Sequence, residues 1–83
     1  MKILYFAWLR QRVGTGEEEL TPPASVKDVR GLIEFLKTRS PGHAEAFKDL
    51  KVVRVAVNQT YVQLDHPVKA GDEVAVFPPV TGG

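Results

Sequence analysis

The chain has 83 residues, 11 Lys and Arg against 10 Asp and Glu, 43% hydrophobic and 25% charged residues, and no cysteine. A chain of this length buries about two-thirds of its unfolded surface, which allows one modest core, excludes a multi-domain enzyme and leaves little room for a deep pocket. A formal net charge of +1 gives no long-range field to draw in a phosphate backbone, so nucleic acid is not an expected partner, and without cysteine there is no disulfide framework, thiolate metal site or cysteine nucleophile, as fits a reducing compartment.

Lys2 to Leu9 is an apolar, aromatic run that reads as one buried strand, ended by Arg10-Gln11-Arg12 and a turn at Gly14-Thr15-Gly16. No small-residue cleavage site follows this run, and no stretch approaches the about 20 apolar residues that span a bilayer, so the expected location is the cytoplasm with no membrane contact. Glu17-Glu18-Glu19-Leu20-Thr21 is a short second strand with solvated carboxylates, stopped by Pro22-Pro23 and forming a hairpin with the first. Ser25 is placed to cap a helix in which Val29, Leu32, Ile33 and Leu36 form one buried stripe, and Arg39-Ser40-Pro41-Gly42 ends it. His43 to Leu50 adds at most a short helical turn. Val52 to Val57 is a β-branched strand, Asn58-Gln59-Thr60 turns it, Tyr61 to Leu64 pairs back, and Ala70-Gly71-Asp72 precedes a last strand, Glu73 to Phe77. The order β, β, α, β, short strand, β specifies an α+β fold of the β-grasp type, a mixed sheet with one main helix packed across it. The domain spans residues 1–77, and residues 78–83 form a tail.

Catalytic groups are scarce. His43 and His66 fall in predicted loops with no acidic partner fixed nearby and read as surface histidines, without metal-ligand spacing. Ser25 and Ser40 sit at helix ends with no nucleophile-elbow sequence around them. Gly14-Thr15-Gly16 lacks the lysine and the strand-to-helix context of a phosphate loop.

The end of the chain carries the chemical signal. Pro78-Pro79-Val80-Thr81-Gly82-Gly83 combines prolines that favour an extended exit with glycines that have no Cβ to collide with the walls of a narrow channel. Six residues span at most about 20 Å when extended, enough to place the Gly83 carboxylate inside another protein while the domain stays outside. That carboxylate becomes an electrophile only once activated, for example as an acyl-adenylate, so the catalysts belong to partners.

The blocks Gly71 to Gly83, Leu4-Tyr5-Phe6-Ala7-Trp8-Leu9-Arg10 and Val55-Ala56-Val57-Asn58 resemble the small subunit of molybdopterin synthase over essentially the whole chain. Thr81 stands where many members carry Ser. The resemblance implies a ubiquitin-like sulfur carrier, a non-catalytic subunit of a sulfurtransferase complex. In it Gly83 is adenylated, with ATP, by a ubiquitin-activating-like adenylyltransferase and converted to a thiocarboxylate. The tail then enters the large synthase subunit and gives its sulfur to cyclic pyranopterin monophosphate, in a heterotetramer of two small and two large subunits. The small subunit is expected to bind no cofactor of its own.

Partner contact is expected from Phe6, Arg10, Leu64 and Phe77, with Trp8 and Val80 also candidates for an apolar docking face; core packing is the competing reading of the apolar residues, and solvation that of Arg10. Competing functions are the thiazole-synthesis sulfur carrier of thiamine biosynthesis, against which Pro78-Pro79-Val80 and the chain length argue, a protein modifier joined through Gly83 to lysine, and a non-covalent interaction module.

Overall fold

The computed structural model of the chain describes residues 1–79. Its first apolar run is two elements, not one: strand β1 covers Lys2–Tyr5 and helix α1 covers Ala7–Val13. The break is at Phe6 and Ala7. Phe6 is extended at the helix N-cap without a side-chain cap, and Ala7 is left-handed with φ 54°, a conformation that costs an L-residue about 1–2 kcal/mol. Leu9 turns into the core while Phe6 stays outside, so the alternation expected of a longer strand is replaced by a helical return. Gly14 closes α1 in the left-handed region, with its N–H donating to the Arg10 carbonyl at 2.9 Å. The glycine expected to turn a hairpin is therefore a helix cap.

The remaining elements are β2 (Glu17–Glu19), α2 (Val29–Lys37), α3 (Pro41–Ala46), a 3-10 turn (Leu50–Val52), β3 (Arg54–Val57), β4 (Thr60–Val62) and β5 (Glu73–Phe77). The five strands form one mixed sheet in the order β2-β1-β5-β3-β4. β1 and β5 run parallel, from Lys2↔Glu73 to Tyr5↔Val76; the other pairs are antiparallel. Ile3, Tyr5, Val55, Val57, Val74 and Val76 point to one face and meet the stripe Val29, Leu32, Ile33 and Leu36 of α2 in the core. This is the α+β, ubiquitin-like β-grasp architecture, with α1 as an addition that the apolar pattern did not announce and α3 overlapping the short helical turn expected from His43.

The cap of α2 is Asp28, not Ser25: its Oδ1 accepts from the Gly31 N–H at 2.8 Å, while Ser25 lies in the preceding turn. The next two amides of the helix, Val29 and Arg30, donate to the carbonyls of His66 and Leu64 at 3.0 and 2.9 Å. A second side-chain clamp joins the β3–β4 turn to the start of β5. Asn58 Nδ2 donates to Asp72 Oδ1 at 3.0 Å, the Lys69 N–H donates to Asp72 Oδ2 at 2.9 Å, and the Glu73 N–H donates to Asn58 Oδ1 at 3.0 Å. The Lys69 amide and the Asn58 amide hold the Asp72 carboxyl below the usual range.

His43 overturns the surface reading. It is buried, and its Nε2 lies 2.7 Å from Glu18 Oε1, which also accepts from the Tyr5 hydroxyl at 2.7 Å. Glu18 therefore points inward, contrary to a fully solvated β2, whereas Glu17 and Glu19 are exposed. An ionised carboxylate only accepts, so His43 carries its proton on Nε2 and its Nδ1, 2.7 Å from Ser40 Oγ, accepts from that hydroxyl when the ring is neutral. Ser40 Oγ in turn accepts the His43 N–H at 3.1 Å, capping α3. Burial alone would raise the Glu18 carboxyl, but the hydrogen bonds from His43 and Tyr5 and the nearby His43 and Arg39 side chains outweigh it and hold it low; burial and the Glu18 bond push the Tyr5 hydroxyl well above its ordinary value.

Two predictions follow from this packing. A Cβ on Gly42 would meet the Arg12 carbonyl oxygen far inside van der Waals contact, so Gly42→Ala should lower stability in urea unfolding by about 3 kcal/mol, without changing the m-value. Because Glu18 binds its proton more weakly in the folded chain than in the unfolded one, its contribution is fully present above about pH 5 and fades as pH falls through the depressed value. Urea midpoints measured across the acid range should show a shallower acid limb for Glu18→Gln than for the parent chain.

Candidate functional site

β5 is the second-to-last stop of the chain: it lies between β1 and β3 in the sheet, and Pro78-Pro79 continue directly from Phe77. Both prolines are half-buried. The remaining tail positions singled out above, Val80, Thr81, Gly82 and Gly83, lie outside the described residues.

The face of the sheet opposite the helices surrounds this exit with apolar groups. Registered pairs share a face, so Leu4, Ala75, Ala56 and Tyr61 form one row across it, and Arg54 and Phe77 the next. The Phe6 N–H donates to the Val76 carbonyl at 3.1 Å, and one further step of the β1–β5 register sets Phe6 beside Phe77. The Tyr61 and Phe77 rings pack at 5.2 Å between centroids with an interplanar angle of 43°. Phe6 is 49% exposed and Tyr61 72% exposed. The centre of this face is floored by the small side chains of Ala56 and Ala75. Arg54 turns its guanidinium back to the carbonyls of Lys51 and Val53, at 3.1 and 3.2 Å, which leaves the aromatic groups uncovered. An aromatic surface of this kind next to a chain exit suits protein docking better than small-molecule binding.

Of the residues expected to touch a partner, Phe6 and Phe77 are thus brought together. Arg10 is exposed, and its guanidinium lies against Gly16. Leu64 is elsewhere: its side chain packs partly against the core, and its carbonyl is tied to the first turn of α2. Trp8 also packs against the core, with the Arg12 guanidinium 6.0 Å from its ring centroid. Tyr61, the most exposed aromatic of the patch, was not singled out from the sequence. The signal was available, since Val62 packs inward and strand alternation then sends Tyr61 to the other face.

Reactive groups do not converge here. The buried chain Tyr5, Glu18, His43 and Ser40 satisfies its own hydrogen bonds, and among the described residues no buried side-chain polar atom lacks a partner. No group of His, Cys, Asp or Glu among them could hold a metal ion. No helix among them is long and apolar enough to cross a membrane.

Comparison with known proteins agrees with this geometry. The model of the ThiS family matches residues 3–83. The molybdopterin synthase sulfur carrier subunit of Escherichia coli is 46% identical over 83 residues, covering 100% of this chain and 99% of its own. That of Haemophilus influenzae is 39% identical over 84 residues, with 100% and 99% covered. A solved structure from Pyrococcus furiosus, assigned as subunit 1 of a molybdopterin converting factor, superposes with a TM-score of 0.78 at 43% identity and covers 95% of each chain. The chain belongs to the ThiS family, in the group formed by the sulfur carrier subunits of molybdopterin synthase.

Proposed function

We propose that the chain carries sulfur as a thiocarboxylate on Gly83 and delivers it inside the large subunit of molybdopterin synthase. The observation that supports this most is the position of β5. The strand that leads into the Gly-Gly terminus is held between two others and leaves the sheet beside the Phe6, Tyr61 and Phe77 patch. Docking of that patch fixes the root of the tail, and the reach of the tail then sets how deep the carboxylate goes.

The chemistry divides between the chain and its partners. In the adenylyltransferase, a Gly83 carboxylate oxygen attacks the α-phosphorus of ATP and pyrophosphate leaves. A sulfur donor then attacks the acyl carbon, and AMP leaves with the original oxygen, so one oxygen is replaced by sulfur. In the synthase the sulfur passes to cyclic pyranopterin monophosphate, and water restores the carboxylate. Two such deliveries build the dithiolene of molybdopterin. Phe6 and Phe77 dock, with Tyr61 joining them; Pro78, Pro79, Val80, Thr81 and Gly82 insert as the tail, and Gly82 and Gly83 enter the narrowest part because they add no side chain. The carrier itself binds no cofactor, and ATP belongs to the activating partner.

Deleting Gly83, or appending one residue after it, moves the acyl group by a residue length. Either change should reduce molybdopterin formation at least about a hundredfold, with an unchanged circular dichroism spectrum and melting temperature; retained activity would overturn the tail mechanism. Phe6→Asp should weaken binding of the large subunit by at least about tenfold in calorimetry, again without loss of stability, because half of that side chain is already exposed.

A further inference from the structure

The two edges of the sheet are built differently. The β2 edge carries Glu17, Glu18 and Glu19 and is blunted by charge; the β4 edge, Thr60 to Val62, and the residues that flank it from Asn58 to Leu64 carry no charge and no proline. Natural sheets avoid leaving an uncharged, unobstructed edge, because its main-chain groups are a template for another strand.

The register shows which groups have no partner among the described residues. The Asn58 N–H donates to the Glu73 carbonyl at 2.8 Å, so the main-chain groups of Asn58, and by alternation those of Ala56, point toward β5. Those of Val55 and Val57 then point toward β4, and their registered partners Val62 and Thr60 point back at them. Tyr61 lies between these two and directs both its N–H and its C=O outward, away from the sheet. Its side chain is on the open face and 72% exposed.

We propose that the free chain pairs with a second copy of itself, edge to edge along β4, in an antiparallel arrangement centred on Tyr61. Each Tyr61 N–H then donates to the Tyr61 carbonyl of the other copy, and the two Tyr61 rings become a cross-strand pair on the open face. A two-fold contact of this kind uses the same edge of both copies and closes on itself, so it gives dimers and not filaments. Charge is consistent with a second copy as the occupant: the edge is neutral and the chain's net charge is only +1, whereas the β2 edge would set carboxylates against carboxylates. Asn58 and Gln59 have φ of 51° and 71° and turn away from the strand, so the paired stretch is short. The association is accordingly weak and depends on concentration.

Sedimentation equilibrium of the isolated chain from about 10 μM to about 1 mM should show the apparent mass rising from 9.2 kDa toward twice that value. Tyr61→Lys, which sets two like charges across the two-fold axis, should weaken the association at least about tenfold with an unchanged circular dichroism spectrum. Amide exchange of the unsubstituted chain gives a second reading: the Tyr61 N–H should become protected at the high concentration and not at the low one. A constant mass over the whole range would overturn the proposal. So would a dimer that leaves the Tyr61 amide unprotected, or one that withstands Tyr61→Lys.

Discussion

Parallel pairing of β1 with β5 is the constraint on which the rest of the molecule depends. A parallel pair cannot be closed by a tight turn, so everything from Phe6 to Asp72 is the connection between these strands. That connection supplies the helices that cover their inward face, Ile3, Tyr5, Val74 and Val76, and the other three strands, β2 beside β1 and β3 and β4 beyond β5. Parallel direction also decides where function can sit. The C-terminal ends of both strands lie on the same side, so Phe6 leaves β1 where Phe77 leaves β5, and the tail starts beside an aromatic surface made by the opposite end of the sequence. Had β5 run antiparallel to β1, Pro78 would have emerged beside Met1 and the Lys2–Glu17 ion pair.

This arrangement separates stability from function across the thickness of one sheet. The helix side holds the core and the fully bonded Tyr5, Glu18, His43 and Ser40 chain, which ties β1, β2 and α3 together. The open side holds the apolar patch, on which Phe6 and Tyr61 are exposed. A docking face whose residues contribute little to the core can meet a partner without loosening the fold. The same economy accounts for the composition. A chain that brings its own carboxylate to other enzymes, as proposed above, would have no use for a deep pocket or a nucleophile.

Much of the architecture could be read from the residues. The α2 stripe, the β-branched β3 and the turn before β5 carry strong local signals, and the structure contains all three. The first apolar run was misread because Tyr5-Phe6-Ala7-Trp8-Leu9 satisfies strand and helix patterns alike over so short a length, and the left-handed Ala7 that divides it has no signature when the residue is not glycine. Ser25 and Asp28 are both good caps by type. The choice went to Asp28 because the carbonyls of Leu64 and His66, distant in sequence, satisfy the amides beside it. His43 and Glu18 are 25 positions apart, so no local pattern announces their contact. At the exit, Phe6 and Phe77 are placed on one face by their strand ends, whereas Leu64 lies elsewhere: its carbonyl is tied to the first turn of α2, and its side chain packs partly against the core.

The most direct measurement of the central claim is the intact mass of the chain after incubation with the activating adenylyltransferase, ATP and a sulfur donor, with fragmentation to locate the change. The account predicts a species in which one oxygen is replaced by sulfur at Gly83, and its return to the parent mass when the large subunit and the pterin precursor are added. An unchanged mass, or lysine conjugates of the chain in place of the sulfur species, would contradict it.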